Sequence, residues 1–525
     1  MDRRKFLRTS SAVTLGGLTV RGFSSPLMSP LWNRAAEDRV LVVIQLFGGN
    51  DGLNTVIPLD QYDVLAIKRP NVLIPEGLVL PLDLAGPTGL HPAMDGMREL
   101  WEMGKLGIVQ GVSYPTPNYS HFRATDIYET GANADQLLSS GWTGRYLNFE
   151  YPNYPAGYPN TDMPDPLAIR IGGSVGPGLQ YMGVSMGVAI NNTDDPLNLT
   201  GNIYLDPASA ECNGGKLDFV RQVQRQTDLY GDVIEAAAAV GCNQSTMYPT
   251  GNAPGARLAN ALKIVAQLIC GGLKTKIYWV SEQGFDTHAQ QVESADHSAG
   301  NHADLLQGVS DSVRAFQDDL ALLGLEDRVL GMTFSEFGRR IVDNASGGTD
   351  HGSAQPMFFF GTQVINTITG TNPEIPSNAT FQTNLAMQYD FRSVYASVLK
   401  DWFCLEETDI DTVLLDTYQP LNIINPDGCL GTGVRHQPAG GHQFAPRLSE
   451  PLHGAHQLGI HERRWPRADP GLQRRRTALR TVLNQPVPAG TYKVDLDLGD
   501  LPSGVYYARL QNEGAQQVRN LLKVR

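Results

Sequence analysis

The chain has 525 residues, 41% of them hydrophobic and 18% charged, a balance that fits a folded globular protein and excludes a disordered one. By length alone it would hold about three domains, although one large α/β domain can use most of such a chain. The formal net charge of -13 excludes a general nucleic-acid binder, which needs a basic face, and is read as serving solubility.

The chain opens on "MDRRKFLRTSSAVTLGGLTVRG", where Arg3-Arg4 and Phe6-Leu7 precede a modest apolar run, Ala12 to Val20. That run is too short and too rich in Gly and Thr to span a bilayer. Residues 1–36 therefore read as a twin-arginine signal peptide, with cleavage expected near Ala35-Ala36 and no transmembrane segment. The partner this implies is the twin-arginine export machinery, and the expected location is periplasmic, cell-surface or extracellular.

Residues 37–430 read as one α/β domain. Continuous apolar runs at Val40–Phe47, around Ile108-Val109, and at Ile277–Val280, Val329–Phe334 and Met357–Phe360 suit strands buried on both faces of a parallel sheet. Between them, Leu258, Leu262, Val265 and Leu268 keep helical spacing up to Gly271. A second helix follows from Leu305 to Leu323, and "FRSVYASVLKDWF" gives a third. This alternation predicts a doubly wound, mostly parallel sheet flanked by helices. Residues 151–215, rich in Pro, Gly, Asn and Tyr, read either as an insertion over a site mouth or as a surface excursion.

In an oxidising compartment, Cys212–Cys242 and Cys404–Cys429 are candidate bridges that leave Cys270 free in an apolar helix. None of the five cysteines has a Cys-x-x-Cys zinc spacing.

Residues 431–480 form an anomalous linker. From Gly433 to Arg480 the chain holds five of its eleven histidines, Arg-rich clusters and no lysine, and no strand is legible. The segment reads as translated out of frame, or as a basic, His-rich linker for metal or polyanions. Beyond it, residues 481–525 alternate apolar and polar residues, the tail of a small, incomplete antiparallel β-sandwich.

Ligands in doubly wound sheets bind beyond the carboxyl ends of strands. The residues just past the predicted strands are Asn50-Asp51, Ser120-His121, Asp286 with His288, and Ser335-Glu336. Asp51 suits a tight turn as well as a site. Asp286-x-His288, if extended, puts both side chains on one face, an arrangement for a divalent cation; the alternative is a helix-capping Asp with a surface His. Glu336 could pair with Arg339 or Arg340. Asp350 and His351 are neighbours that point apart in an extended chain, so one would be a ligand and the other its outer hydrogen-bonding partner. Ser120 is either a helix N-cap or a hydroxyl placed beside a cation for attack on a phosphoryl or sulfuryl centre. No Gly-x-Ser-x-Gly elbow and no phosphate-binding Gly-Lys-Ser/Thr loop is present.

The set "FGGNDGLNTV", "NYSHF", "GFDTH", "SEFGRR" and "GTDHG", spread over about Val40 to Phe403, resembles the DUF1501 family, twin-arginine-exported proteins placed with the alkaline phosphatase and sulfatase superfamily. The resemblance implies an alkaline phosphatase-like fold and a divalent metal ion (zinc, calcium or manganese) acting on an anionic ester. It makes Asp51, Asp286, His288, Glu336 and His351 the metal ligands and Ser120 the catalytic hydroxyl. Asp350, His121 and Arg339 are placed as outer partners of those ligands. Two departures stand out: the middle pair is spaced Asp-x-His rather than Asp-x-x-x-His, and Phe337 replaces a histidine. The tail from Pro486 to Arg525 resembles the C-terminal sorting domain of the type IX secretion system, which would add that machinery as a partner. The function expected is thus an exported metal-dependent hydrolase of phosphate or sulfate esters. The alternative is a non-catalytic secreted binding or surface-assembly protein that keeps the fold.

Overall fold

The computed structural model describes residues 38–83, 86–191 and 214–429, and four strands further on, at 455–462, 477–486, 504–511 and 516–523. The twin-arginine segment lies outside the described residues, as does Cys212. The chain divides into Met1–Gly433 and Val434–Arg525.

The first unit is α/β, built on a nine-stranded mixed sheet. In chain order its strands are β1 (Val40–Phe47), β2 (Leu106–Ser113), β3 (Ala168–Ile171), β4 (Val188–Ile190), β5 (Ile277–Gln283), β6 (Val329–Phe334), β7 (Gln355–Phe360), β8 (Ile368–Thr369) and β9 (Tyr389–Asp390). Across the sheet they run β8-β2-β7-β6-β1-β5-β3-β4, and β9 pairs with β2. β1 is central and parallel to both neighbours, with Leu41 opposite Ile277 and Leu330. Leu41, Val42, Val43 and Ile44 are all buried, because helices cover both faces. Each such side chain contributes about 1.5–3 kcal/mol relative to exposure.

On one face lie α1 (Asp95–Glu102), α4 (Gly214–Val240), α5 (Ala256–Cys270) and α6 (Asn301–Leu323). On the other are α2 (His121–Thr130), α3 (Trp142–Glu150) and α7 (Phe391–Ser397). The apolar spacing of Leu258, Leu262, Val265 and Leu268 is the buried stripe of α5. α6 ends where Gly324 takes a left-handed conformation. Among the described residues, no helix is long and apolar enough to cross a membrane.

Three sequence expectations are corrected. β7 was expected among parallel strands, yet it runs antiparallel to both β6 and β2. An apolar run buried on two faces has the same composition in either direction, so the pattern carries no sign. The second correction concerns the bridges, which are Cys242–Cys270 and Cys404–Cys429, so Cys270 is not free. Cys242 lies just past the end of α4 and Cys270 ends α5, and these helices pack together, a contact that sequence spacing does not reveal. The third falls in the stretch with no legible strand: strands occur at Ala455–Glu462 and Thr477–Pro486. They form a four-stranded antiparallel sheet with Gly504–Gln511 and Gln516–Lys523. Strand pairing there is non-local, with Gln457 opposite both Asn484 and Gln511. Residues 151–215, read as an insertion or excursion, supply β3 and the edge strand β4.

Candidate metal centre

β1, β2, β5 and β6 deliver their following residues to one edge of the sheet by the parallel rule. β7 is reversed, so the residues preceding it, including Asp350 and His351, arrive at that same edge.

Three loops meet closely there. Gly48 has φ +128°, and a Cβ at this position would lie 2.2 Å from the Asp286 amide nitrogen. A Cβ on Gly348 would lie 2.4 Å from the Thr287 carbonyl oxygen. Glycine at both places lets the loops after β1, after β5 and before β7 touch backbone to backbone.

Arg339, fully buried, pins the same loops. Its guanidinium donates to the carbonyls of Gly48, Gly49 (2.6 Å), Phe285 (3.0 Å) and Thr349 (2.8 Å). It also donates to Asp286 Oδ1 at 2.8 Å. Arg340 donates to the His351 carbonyl at 3.0 Å and to Gln382 and the Phe381 carbonyl.

On this frame, ligand atoms of His121, Asp286 and His351 lie within 4.8 Å of one another. His288 Nε2 is 2.9 Å from His351 Nε2, and each is 3.2 Å from Asp286 Oδ1. His121 Nε2 is 3.5 Å from Asp286 Oδ2. The outer ring nitrogens all face acceptors. His351 Nδ1 donates to the Tyr119 carbonyl (2.9 Å), and His288 Nδ1 to Asp350 Oδ1 (3.0 Å). His121 Nδ1 donates to Glu336 Oε1 (2.7 Å), the oxygen that also accepts from the Gly48 amide at 2.8 Å. With Nδ1 carrying the proton in each neutral ring, all three Nε2 atoms present lone pairs inward. Two lone pairs 2.9 Å apart beside a carboxylate repel unless a proton or a cation lies between them. Three imidazoles and one carboxylate are a donor set for a transition-metal ion. The outer bonds are those that orient such ligands.

The electrostatics agree. Burial pushes the Asp286 carboxyl up, but donation and charge from Arg339, with His351 and His288, outweigh it and hold the group down to about 2. Its side chain is 47% exposed, so the carboxylate faces an open side. The Glu336 bond raises the His121 pKa against burial, whereas burial lowers that of His351. Asp350 is also raised by burial, but bonds from Asn344 and His288 bring it below its usual value.

The sequence-predicted residues thus divide. Asp286, His288 and His351 come together, with Asp350 behind His288. His121, placed by sequence as an outer partner, points its Nε2 at Asp286, and Glu336, placed as a ligand, stands behind His121 with 0% exposure. Ser120 is exposed at the N-cap of α2, makes no side-chain capping bond, and donates its amide to Asn118 Oδ1. Asp51 stands apart from the cluster in a buried ion pair with Arg69, and Gln291 donates to it at 2.6 Å. Sequence reasoning missed Arg69, Gln291, Asn344 and the Tyr119 carbonyl. Arg69, Gln291 and Asn344 lie in none of the quoted motifs, and the Tyr119 carbonyl, although within "NYSHF", is a backbone acceptor that leaves no trace in residue type.

Comparison with known proteins finds a family match over part of the chain and two loosely similar solved structures. PsFucS1 sulfatase from Pseudoalteromonas sp. aligns with 76% of this chain and 75% of its own, at 10% identity and a TM-score of 0.33. The lipoteichoic acid synthase LtaP from Listeria monocytogenes aligns with 64% of this chain and 67% of its own, at 10% identity and a TM-score of 0.27. Superpositions this loose say nothing about chemistry. No curated protein matches the sequence. Residues 218–414 match the family described as "Protein of unknown function (DUF1501)", a span that contains the Asp286, Glu336 and His351 motifs but not those of Asp51 and Ser120.

Proposed function

We propose that this chain is an exported, metal-dependent hydrolase of phosphate or sulfate esters. The observation that carries the reading is the convergence of three inward-facing Nε2 atoms on the Asp286 carboxylate at the sheet edge. His121, His288, His351 and Asp286 would hold one divalent cation, and an imidazole-rich set favours zinc over calcium. Bound there, the ion would supply Lewis acidity to the ester and to the attacking hydroxyl. Ser120 sits at the start of α2, whose exposed amides and dipole favour an anionic group. Its hydroxyl, unused in capping, is the nucleophile. Ser120 Oγ loses its proton and bonds to phosphorus or sulfur as the alcohol leaves with a proton; water then cleaves the Ser120 ester and restores the hydroxyl. Export is supported by the Arg3-Arg4 leader pattern and is compatible with the two disulfides.

The test is turnover of 4-nitrophenyl phosphate and 4-nitrophenyl sulfate by the purified chain, with and without zinc. Chelation should abolish activity and zinc restore it, and Asp286→Ala and His351→Ala should lose both ion and turnover. A chain that takes up no divalent ion ends the hydrolase reading. Bound ion without turnover of either ester supports the binding-protein alternative instead.

A further inference from the structure

A buried carboxylate needs a cation, and Asp51 has one built from protein. Its side chain is 1% exposed and that of Arg69 is 0% exposed. Arg69 Nη1 donates to Asp51 Oδ1 at 3.1 Å and Nη2 donates to Oδ2. Gln291 Nε2 adds a second bond to Oδ2 at 2.6 Å. Both carboxylate oxygens are therefore engaged by a two-pronged guanidinium, which stays charged at any physiological pH.

This pair is one side chain away from the metal centre. Gln291 Oε1 accepts from Thr287 Oγ1 (3.1 Å) and from Thr349 Oγ1 (2.8 Å). Thr287 lies between Asp286 and His288, and Thr349 precedes Asp350-His351, so Gln291 joins Asp51 to both loops that carry the cluster. An acid so close to the cluster is where a second ion would be sought. An ion at Asp51 would have to displace a guanidinium that has no exposed surface and, among the described residues, no other ion pair, while facing its positive charge.

We propose that Arg69 stands at Asp51 in place of a second metal ion, so that the centre takes one divalent cation per chain. The inference rests on the reading that the His121, Asp286 and His351 cluster holds a cation. It removes Asp51 from the ligand set expected from sequence and leaves it paired with Arg69 and Gln291.

The experiment counts ions in the full chain, loaded with zinc, desalted, and measured by native mass spectrometry and elemental analysis. One ion per chain is expected. The second arm is the double variant Asp51→Asn/Arg69→Met, which removes both charges together at similar volume and so avoids stranding either one. It should keep one ion, with zinc affinity within about threefold of the parent, less than the 10–100-fold attached to losing an outer partner of a ligand. Two ions in the parent overturn the inference and leave the hydrolase reading standing. Loss of the ion from the double variant also overturns it, since Asp51 would then be a ligand. One ion in both proteins without ester turnover keeps the inference and ends the hydrolase reading. A parent chain with no ion overturns both.

Discussion

Glu336→Gln separates a metal ligand from a carboxylate that acts through a histidine. In the structure, one oxygen of the fully buried Glu336 accepts from His121 Nδ1 (2.7 Å) and from the Gly48 amide (2.8 Å). A glutamine carbonyl oxygen can accept both bonds, so the substitution keeps the geometry and removes the charge. Hydrogen bonds to charged groups contribute about 1.5–3 kcal/mol and neutral ones about 0.5–1.5 kcal/mol. The His121 bond therefore weakens by about 1–1.5 kcal/mol, roughly tenfold in ion affinity, at the lower end of the 10–100-fold typical of such partners. Thermal stability should change little, because a buried charge is removed along with its bond strength. Glu336→Ala differs: it strands the Gly48 amide, at about 1–3 kcal/mol, so its melting temperature should fall as well. Zinc affinity is read by competition with a chromophoric chelator, and stability by thermal unfolding. Two results refute the reasoning. If Glu336→Gln abolishes ion binding as completely as His351→Ala, Glu336 is a ligand. If it changes affinity by less than about threefold, well short of the partner effect, the His121 bond is inconsequential.

Acid stability should depend on two buried histidines away from the cluster. Burial lowers His302 to about 4 and His91 to about 3. Both are neutral when folded and protonate more readily when unfolded, so their contribution is intact above about pH 6.5 and is lost as pH falls toward the folded values. For His302 alone the loss is on the order of 3 kcal/mol. Urea midpoints from pH 7 to 4.5 should fall steeply, and His302→Gln should flatten the profile by about one proton; an unchanged slope refutes the assignment. Cys404→Ser opens a bridge across a sequence separation of 25 residues. Loop entropy predicts a loss of about 3 kcal/mol, read as a lower unfolding midpoint without reductant, and a midpoint equal to the parent's refutes it. Gly48→Ala should both lower stability and weaken zinc binding, since its Cβ would meet the Asp286 amide nitrogen. Equal zinc affinity in a folded Gly48→Ala chain would show that this loop contact does not set the centre.

Much of the fold was legible because its determinants are local. The runs Val40–Phe47 and Val329–Phe334 are strands over the residues their composition indicates, and the stripes of Leu258 and Leu305 fall on α5 and α6. Hydrophobic period and glycine stops depend on neighbours a few residues away. The acid-and-histidine motifs were likewise visible as residue types beside apolar runs.

What each motif does was decided by tertiary structure. The direction of β7 depends on its partners, and only its reversal explains how "GTDHG", which precedes a strand, joins motifs that follow strands. His121 turns its Nε2 toward Asp286 and Glu336 stands behind its Nδ1, because a hydrogen bond between residues 215 positions apart orients the ring. Asp51 meets Arg69, a residue in no motif, and a buried carboxylate is satisfied by whichever cation the fold brings within reach. Sequence determined that Asp51, Ser120, Asp286, His288 and Glu336 reach the sheet edge, since they follow strand ends, but not that Asp350 and His351 do, since that needed the reversal of β7. Which of them face one another was left to packing, because hydrogen-bond partners and charge pairs are set by distance in space.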